Sequence, residues 1–202
     1  MSLAADRSGR PAVFVDRDGT LNVEKNYLYR VEDWEWIPGA VEAIRRLNGA
    51  GYAVVVVTNQ AGIARGLYGE PELQRLHAWV DADARRADAR IDAYYHCPHH
   101  PDHGAREMCD CRKPAPGMLR RAAAEHGLDL SRSFIIGDRE SDLEAGSRCG
   151  ARPLLVGTGY GERTRREFPS DAPYFPSVVE AVTFILENHP TGGSPERDGS
   201  AR

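Results

Sequence analysis

Short apolar runs alternate with longer amphipathic segments along the chain. Ala12–Val15, Ala53–Val57, Ile91–Tyr95, Ser133–Ile136 and Ala151–Val156 are nearly continuous in Val, Ile, Ala and aromatic residues. That is the pattern of strands buried on both faces. Between them, Gly39–Asn48 carries Val41, Ile44 and Leu47 at helical spacing. Pro71–Ala89 opens on an acidic turn and brings Leu73, Leu76, Trp79 and Val80 to one face,. Gly117–His126 and Ser141–Cys149 are each followed by a glycine suited to a left-handed cap, and Ser177–Asn188 completes the pattern,. Strands alternating with helices predict an α/β fold, a parallel sheet covered by helices on both faces.

The length of 202 residues fits one domain,. Residues 1–10 and 190–202 are small, polar and rich in Gly, Pro, Ser or charge, so they are expected to be loose ends flanking a single domain at 11–189,. There is no internal repeat and no inserted second domain. With 26 basic and 30 acidic residues the net charge is −4, which offers no general attraction for nucleic acid or an anionic membrane,. No apolar run approaches the ~20 residues of a membrane span, and the first dozen residues lack the apolar centre of a secretory signal,. The expectation is a cytoplasmic monomer with a small-molecule substrate.

Ligands of an open parallel sheet bind beyond the carboxyl ends of its strands, and these ends carry unusual chemistry. The first is followed by Asp16-Arg17-Asp18-Gly19-Thr20, the second by Thr58-Asn59-Gln60-Ala61-Gly62, and the fourth by Gly137-Asp138-Arg139-Glu140-Ser141-Asp142. Arg112-Lys113-Pro114 stands just ahead of a helix. Together they bring Asp16, Asp18, Thr58, Lys113 and Asp138 to one rim, with Asp142 nearby. Converging carboxylates repel one another unless a cation neutralises them, and such an oxygen-donor set suits Mg²⁺ held by Asp16, Asp18 and Asp138. A lysine and a hydroxyl beside that metal are the parts needed to hold a phosphoryl group. In these roles Asp16 is the nucleophile, Asp18 the general acid and base, and Thr58 and Lys113 stabilise the transferring phosphoryl.

One stretch has no apolar period. Cys97-Pro98-His99 is separated by nine residues from Cys109-Asp110-Cys111, a set of three thiolates and an imidazole that suits a closed, structural Zn²⁺ site,. Spacing alone does not choose among His96, His99, His100 and His103. Zinc here would order the backbone leading into Arg112 and Lys113.

DRDGT, TNQ, RKP and GDRESD, in this order and each at a strand end or helix start, resemble the four motifs of the haloacid dehalogenase superfamily phosphatases. The resemblance implies a Rossmann-like sheet and covers about Val13 to Val156. Cys-x-His followed by Cys-x-Cys-Arg-Lys-Pro, with DRDGT-x-N and TNQ-x-G, resembles a narrower group. Those are the heptose 1,7-bisphosphate 7-phosphatases and the related histidinol-phosphate phosphatases, which lack a large cap domain. This likeness favours His99 as the fourth zinc ligand. It also implies substrate contacts at Arg17, Glu24, Lys25, Asn26, Tyr27, Asn59, Gln60, Ala61, Arg112 and Arg139, the last standing where the group often carries lysine. The activity it implies is removal of the 7-phosphate from a heptose bisphosphate through an aspartyl-phosphate.

Overall fold

Ala12–Val15 is at most 1% exposed at every residue, and a strand hidden on both faces belongs at the centre of a sheet. The computed structural model, which describes residues 9–103 and 109–191, places it there. The strands are β1 (Ala12–Val15), β2 (Ala53–Asn59), β3 (Ala93–Cys97), β4 (Phe134–Gly137), β5 (Arg152–Val156) and β6 (Tyr174–Phe175). They lie in the order β3-β2-β1-β4-β5-β6 and are parallel throughout. The helices are α1 (Ala40–Gly49), α2 (Glu70–Arg85), α3 (Gly117–His126), α4 (Glu140–Cys149), α5 (Gly161–Glu167) and α6 (Val178–Asn188).

Because alternate residues of a strand face opposite ways, β1 feeds two cores. Val13 and Val15 pack with Val54, Val56 and Ile136 against Ile44 and Leu47 of α1, Leu76 and Val80 of α2, and Val182 and Ile185 of α6. Ala12 and Phe14 pack with Val55, Val57 and Ile135 against Met118, Leu119 and Ala122 of α3 and Ala145 of α4. Each of the larger buried side chains contributes about 1.5–3 kcal/mol, so the two layers hold β1 rigidly. The strand order turns in opposite directions on either side of β1, and such a switch point leaves a crevice at the strand ends. Asp16 and Asp138 both stand at that crevice. Between β1 and α1 the chain forms only turns, a short 3₁₀ segment at Val31–Asp33 and isolated bridges. There is no cap domain among the described residues.

Some element boundaries differ from the sequence expectation. The helix expected over Pro71–Ala89 ends at Arg85, because Asp88 adopts a left-handed φ of 55° and Ala89 N–H turns back to Ala84 O. The strand expected over Ile91–Tyr95 begins and ends two residues later. The Asp92 side chain accepts from Val54 N–H, while the ladder runs on past the apolar run to His96 and Cys97. The α5 and β6 elements have no apolar period and were absent from the expected set. At the edges, Arg10 N–H bonds Gly127 O and its guanidinium bonds Tyr52 O at 2.7 Å, and Thr191 Oγ1 donates to Ala50 O. The remainder of the expected loose ends, 1–8 and 192–202, lies outside the described residues, as do 104–108 of the Cys/His stretch.

Candidate active site

Asp16 continues the β1 ladder through its N–H to Ile136 O at 2.9 Å, which fixes its side chain at the crevice. Beyond it the chain turns sharply at Gly19, where φ is 85°. A Cβ there would lie 2.3 Å from Asp138 Oδ2, and one on Gly159 would lie 2.2 Å from the same atom. Two bare glycines therefore let the backbone close around the Asp138 carboxylate. Asp138 is fully buried. Its Oδ2 accepts from Tyr160 N–H at 2.7 Å, whereas its Oδ1 is buried without a partner.

Lys113 lies between the carboxylates. Its Nζ is 2.7 Å from Asp16 Oδ1, 2.6 Å from Asp142 Oδ1 and 2.7 Å from Val57 O. Asp142 also accepts from Arg139 N–H at 3.0 Å and so caps α4,. Burial works against the Lys113 ammonium, but Asp142 and Asp16 overcome it and hold its pKa above the usual lysine range. The acids respond the other way. Burial pushes Asp16 up to about 7 despite Lys113, with Asp142 and Asp18 adding repulsion. Burial and the charges of Asp16 and Asp142 push Asp138 up to about 8. One ammonium pairs with two of the three buried carboxylates, and the third, Asp138, keeps an oxygen without a partner.

Oxygens of Asp16, Asp138 and Asp142 lie within 4.8 Å of one another, and hard oxygen donors with excess negative charge fit Mg²⁺. Of these, Asp16 and Asp138 are the candidate ligands, since both oxygens of Asp142 are engaged, by Lys113 and by Arg139 N–H, whereas Lys113 meets only Oδ1 of Asp16 and Asp138 Oδ1 has no partner. The expectation that the Asp18 carboxylate joins the cluster is corrected here. Its Oδ1 receives Arg17 and Asn22 and its Oδ2 receives Gln60 at 3.0 Å, and it stands outside the group of close carboxylate oxygens while still lining the same cavity.

A cavity of about 370 Å³ opens over this cluster. Of the residues expected to meet substrate, Glu24, Asn26, Tyr27, Asn59, Gln60, Ala61, Arg112 and Arg139 line it. Arg139 lies 3.8 Å from the centre of the Tyr160 ring and 3.6 Å from Glu24. Two expectations fail on geometry. Arg17 is 1% exposed and lies behind Asp18, and Lys25 pairs with Glu35 at 2.9 Å outside the cavity. Asn59 reaches the cavity wall, but both polar atoms of its amide are spent on the Lys113 main chain, at 3.1 and 3.0 Å. Thr58 is buried and its Oγ1 accepts from Gln60 Nε2 at 2.7 Å.

Tyr68, His100, Ser141 and Tyr160 also line the cavity and were missed. Ser141 stands inside the charged motif after the fourth strand, whose acids and arginine drew the reading past it, while Tyr68, His100 and Tyr160 sit in no charged motif at a strand end, so no local signal marked them. A larger groove of about 860 Å³ lies between α4 and the segment after α5. It is mainly apolar and holds none of the acidic cluster, so chemistry and not size selects the smaller cavity.

The second cluster sits beside Arg112. Cys97 closes β3 and is fully buried. Its Sγ is 3.8 Å from Cys109 Sγ and 3.5 Å from His99 Nδ1, and Cys111 Sγ is 3.3 Å from the same nitrogen. A tetrahedral zinc with usual bond lengths separates two sulfurs by about 3.8 Å and a sulfur from a nitrogen by about 3.6 Å. The four side chains therefore fit Zn²⁺. The other candidates lie elsewhere: His96 pairs with Glu70 at 2.8 Å, and His100 and His103 pack together with ring centres 4.6 Å apart. His99 O accepts from Arg112 Nη1 at 2.9 Å, linking this cluster to the cavity wall.

Comparison with known proteins agrees with this geometry. The family described as haloacid dehalogenase-like hydrolase matches residues 13–83, and a HAD-hydrolase-like family matches 110–183. The D-glycero-beta-D-manno-heptose-1,7-bisphosphate 7-phosphatase of Escherichia coli K12 is 42% identical over 181 residues, 88% of this chain and 89% of that protein. The enzyme of that name from Photorhabdus laumondii is 43% identical over 79% of this chain and 87% of its own length. The D,D-heptose 1,7-bisphosphate phosphatase of B. bronchiseptica, solved with magnesium and phosphate, superposes with a TM-score of 0.80 at 33% identity, covering 88% of this chain and 98% of that one. No helix among the described residues is long and apolar enough to cross a membrane. On this evidence the chain belongs to the haloacid dehalogenase-like hydrolases and, within them, to the family of the heptose 1,7-bisphosphate 7-phosphatases.

Proposed function

We propose that this phosphatase removes the 7-phosphate of D-glycero-D-manno-heptose 1,7-bisphosphate and leaves the 1-phosphate in place. The single observation that carries the reading is that Asp16, Lys113 and Asp142, clustered with the buried Asp138, line a cavity whose wall includes Arg112 and Arg139. Asp16 attacks phosphorus and becomes an aspartyl-phosphate while the P–O bond to the sugar breaks. Asp18 delivers a proton to the departing sugar oxygen, then takes one from the water that hydrolyses the acyl phosphate. Lys113 and the Thr58 hydroxyl face the charge on the phosphoryl oxygens. Magnesium held by Asp16 and Asp138 supplies further positive charge against those oxygens when bound.

The remaining cavity residues select the rest of the substrate. Arg112 and Arg139 offer planar, permanently charged forks for a second phosphate. Glu24, Asn26, Tyr27, Gln60 and Ala61 face the sugar. Zinc held by Cys97, His99, Cys109 and Cys111 is structural: all four positions are protein ligands, and it ties the strand end to the segment bearing Arg112 and Lys113. The protein acts as a cytoplasmic monomer, with residues 11–189 as one catalytic domain and no membrane or nucleic-acid partner.

Phosphate release measured on heptose 1,7-bisphosphate, fructose 1,6-bisphosphate and histidinol phosphate tests this. The heptose substrate is expected to lead in kcat/KM, and a clear preference for histidinol phosphate rejects the assignment. Asp16→Asn is expected to fold and bind magnesium weakly with no turnover. Retained turnover in that variant rejects Asp16 as the nucleophile.

A further inference from the structure

Among the described residues, Arg17 is the largest side chain that the fold buries completely. A hidden guanidinium needs partners for its fixed fan of donors. Its Nε and Nη2 reach Asp18 Oδ1 at 3.2 and 3.0 Å, and Nη2 lies 2.8 Å from Asp18 Oδ2. Nη2 also donates to Leu28 O at 2.7 Å. Nη1 points the opposite way and meets His77 Nε2 at 3.3 Å.

His77 belongs to α2 and is 8% exposed. Its ring stacks on Tyr94, with centres 4.5 Å apart and planes 19° from parallel. Burial, with the Arg17 cation, pushes its pKa down to about 2. The imidazole is therefore neutral, and a neutral ring facing a guanidinium donor must present Nε2 as acceptor and carry its proton on Nδ1. Packing fixes the ring, the ring fixes one side of the guanidinium, and the guanidinium fixes the carboxylate. Asp18, 18% exposed, completes its surroundings with Asn22 at 3.1 Å and Gln60 at 3.0 Å.

We infer that Arg17, braced from behind by His77, is a positioning residue that aims the Asp18 carboxyl at the leaving oxygen of the substrate. Neither residue touches substrate, since neither lines the cavity. The inference rests on the proposed acid role of Asp18. A carboxyl that loses one side of its cage can rotate toward the open cavity, and proton delivery needs a donor within about 3 Å of its target. Misplacement by 1 Å can cost about 100-fold. The defect should therefore follow how much the leaving group needs a proton. A sugar alkoxide needs one, whereas p-nitrophenolate departs without it.

The test compares kcat/KM on heptose 1,7-bisphosphate with that on aryl phosphates graded from p-nitrophenyl to phenyl phosphate, in enzyme loaded with magnesium. His77→Phe keeps the aromatic stack and removes the acceptor, while His77→Gln restores an acceptor. Relative to wild type, His77→Phe is expected to lose about tenfold on the heptose substrate and less than about twofold on p-nitrophenyl phosphate, a fraction of the 10²–10⁴ that general acids contribute. His77→Gln should recover most of that loss. Arg17→Lys, which keeps the cation and gives up the fork, serves if His77→Phe does not melt as a folded protein. Equal losses on all leaving groups, or no loss on any, overturn the inference. Asp18→Asn is the reference: if it too is insensitive to the leaving group, the acid role of Asp18 fails first and takes the bracing with it.

Discussion

Replacing Lys113 by methionine removes the one ammonium among three buried carboxylates and keeps nearly the same volume. In the wild type Nζ contacts Asp16 at 2.7 Å and Asp142 at 2.6 Å. At an effective dielectric constant of 20, each pair is worth about 6 kcal/mol of gross attraction. Most of that offsets the desolvation of three charged groups, so the net loss on removing one partner is about 3–5 kcal/mol. The sign of its pH dependence follows from Asp16. Its carboxyl already sits at about 7 when folded, against 3.8 in an open chain, although Lys113 pulls it down. Without the lysine it rises further. The folded variant then holds a proton that the unfolded chain has lost, over a window from about pH 4 to beyond 7, and stability must fall as pH rises through it. Urea denaturation without magnesium at pH 5 and pH 8 measures this. Lys113→Met should cost less at pH 5, where Asp16 is protonated with or without the lysine, than at pH 8, where the wild type has released that proton and the variant has not, the gap growing by up to about 1.4 kcal/mol per pH unit above 7,. Equal destabilisation at both pH values would refute the picture of a buried, charge-compensated cluster.

Three further outcomes follow from the same geometry. With Asp16 near 7 and Asp138 near 8, magnesium must displace protons, so its affinity should climb between about pH 6 and 8 and then level off. Calorimetry in two buffers of different ionisation enthalpy should find protons released near pH 7, and affinity flat across that range contradicts the raised pKa values. Purified protein should contain one zinc per chain, and Cys109→Ser or a strong chelator should lower the melting temperature while turnover declines with the loss of order around Lys113; zinc-free protein of unchanged stability and activity refutes the structural site. Asn59→Ala removes two hydrogen bonds to the Lys113 main chain, each worth about 0.5–1.5 kcal/mol. It should cost about 1–3 kcal/mol in stability and lower kcat more than it changes KM, whereas an effect confined to KM would return Asn59 to direct substrate contact.

Arg17 and Lys25 carry a general lesson about reading sites from motifs. Both are cations beside acidic or polar motif residues, and both were expected to meet substrate. Position in a motif places a residue near a site, but the direction of its side chain depends on what surrounds it. Arg17 turns inward because Asp18, Leu28 O and the neutral ring of His77 satisfy its donors, and His77 lies 60 residues away in α2. No local pattern ties those two positions. Asp18 follows the same logic, held out of the acidic cluster by Arg17, Asn22 and Gln60.

The chain order of apolar runs determined the parallel sheet by itself, because a strand hidden on both faces has to be apolar along its whole length and a parallel neighbour requires an intervening helix. The same order put Asp16, Thr58 and Asp138 at the ends of strands, where a crevice had to form, and local spacing brought Cys97, Cys109 and Cys111 together. Tertiary structure decided what each charged group faces: which acids share Lys113, that Asp138 keeps an oxygen free, that His99 and not its neighbours completes the cysteine set, and that Arg17 stands behind Asp18. Those outcomes depend on distances of a few ångströms between segments far apart in the chain, and electrostatic and hydrogen-bond energies change steeply over just such distances.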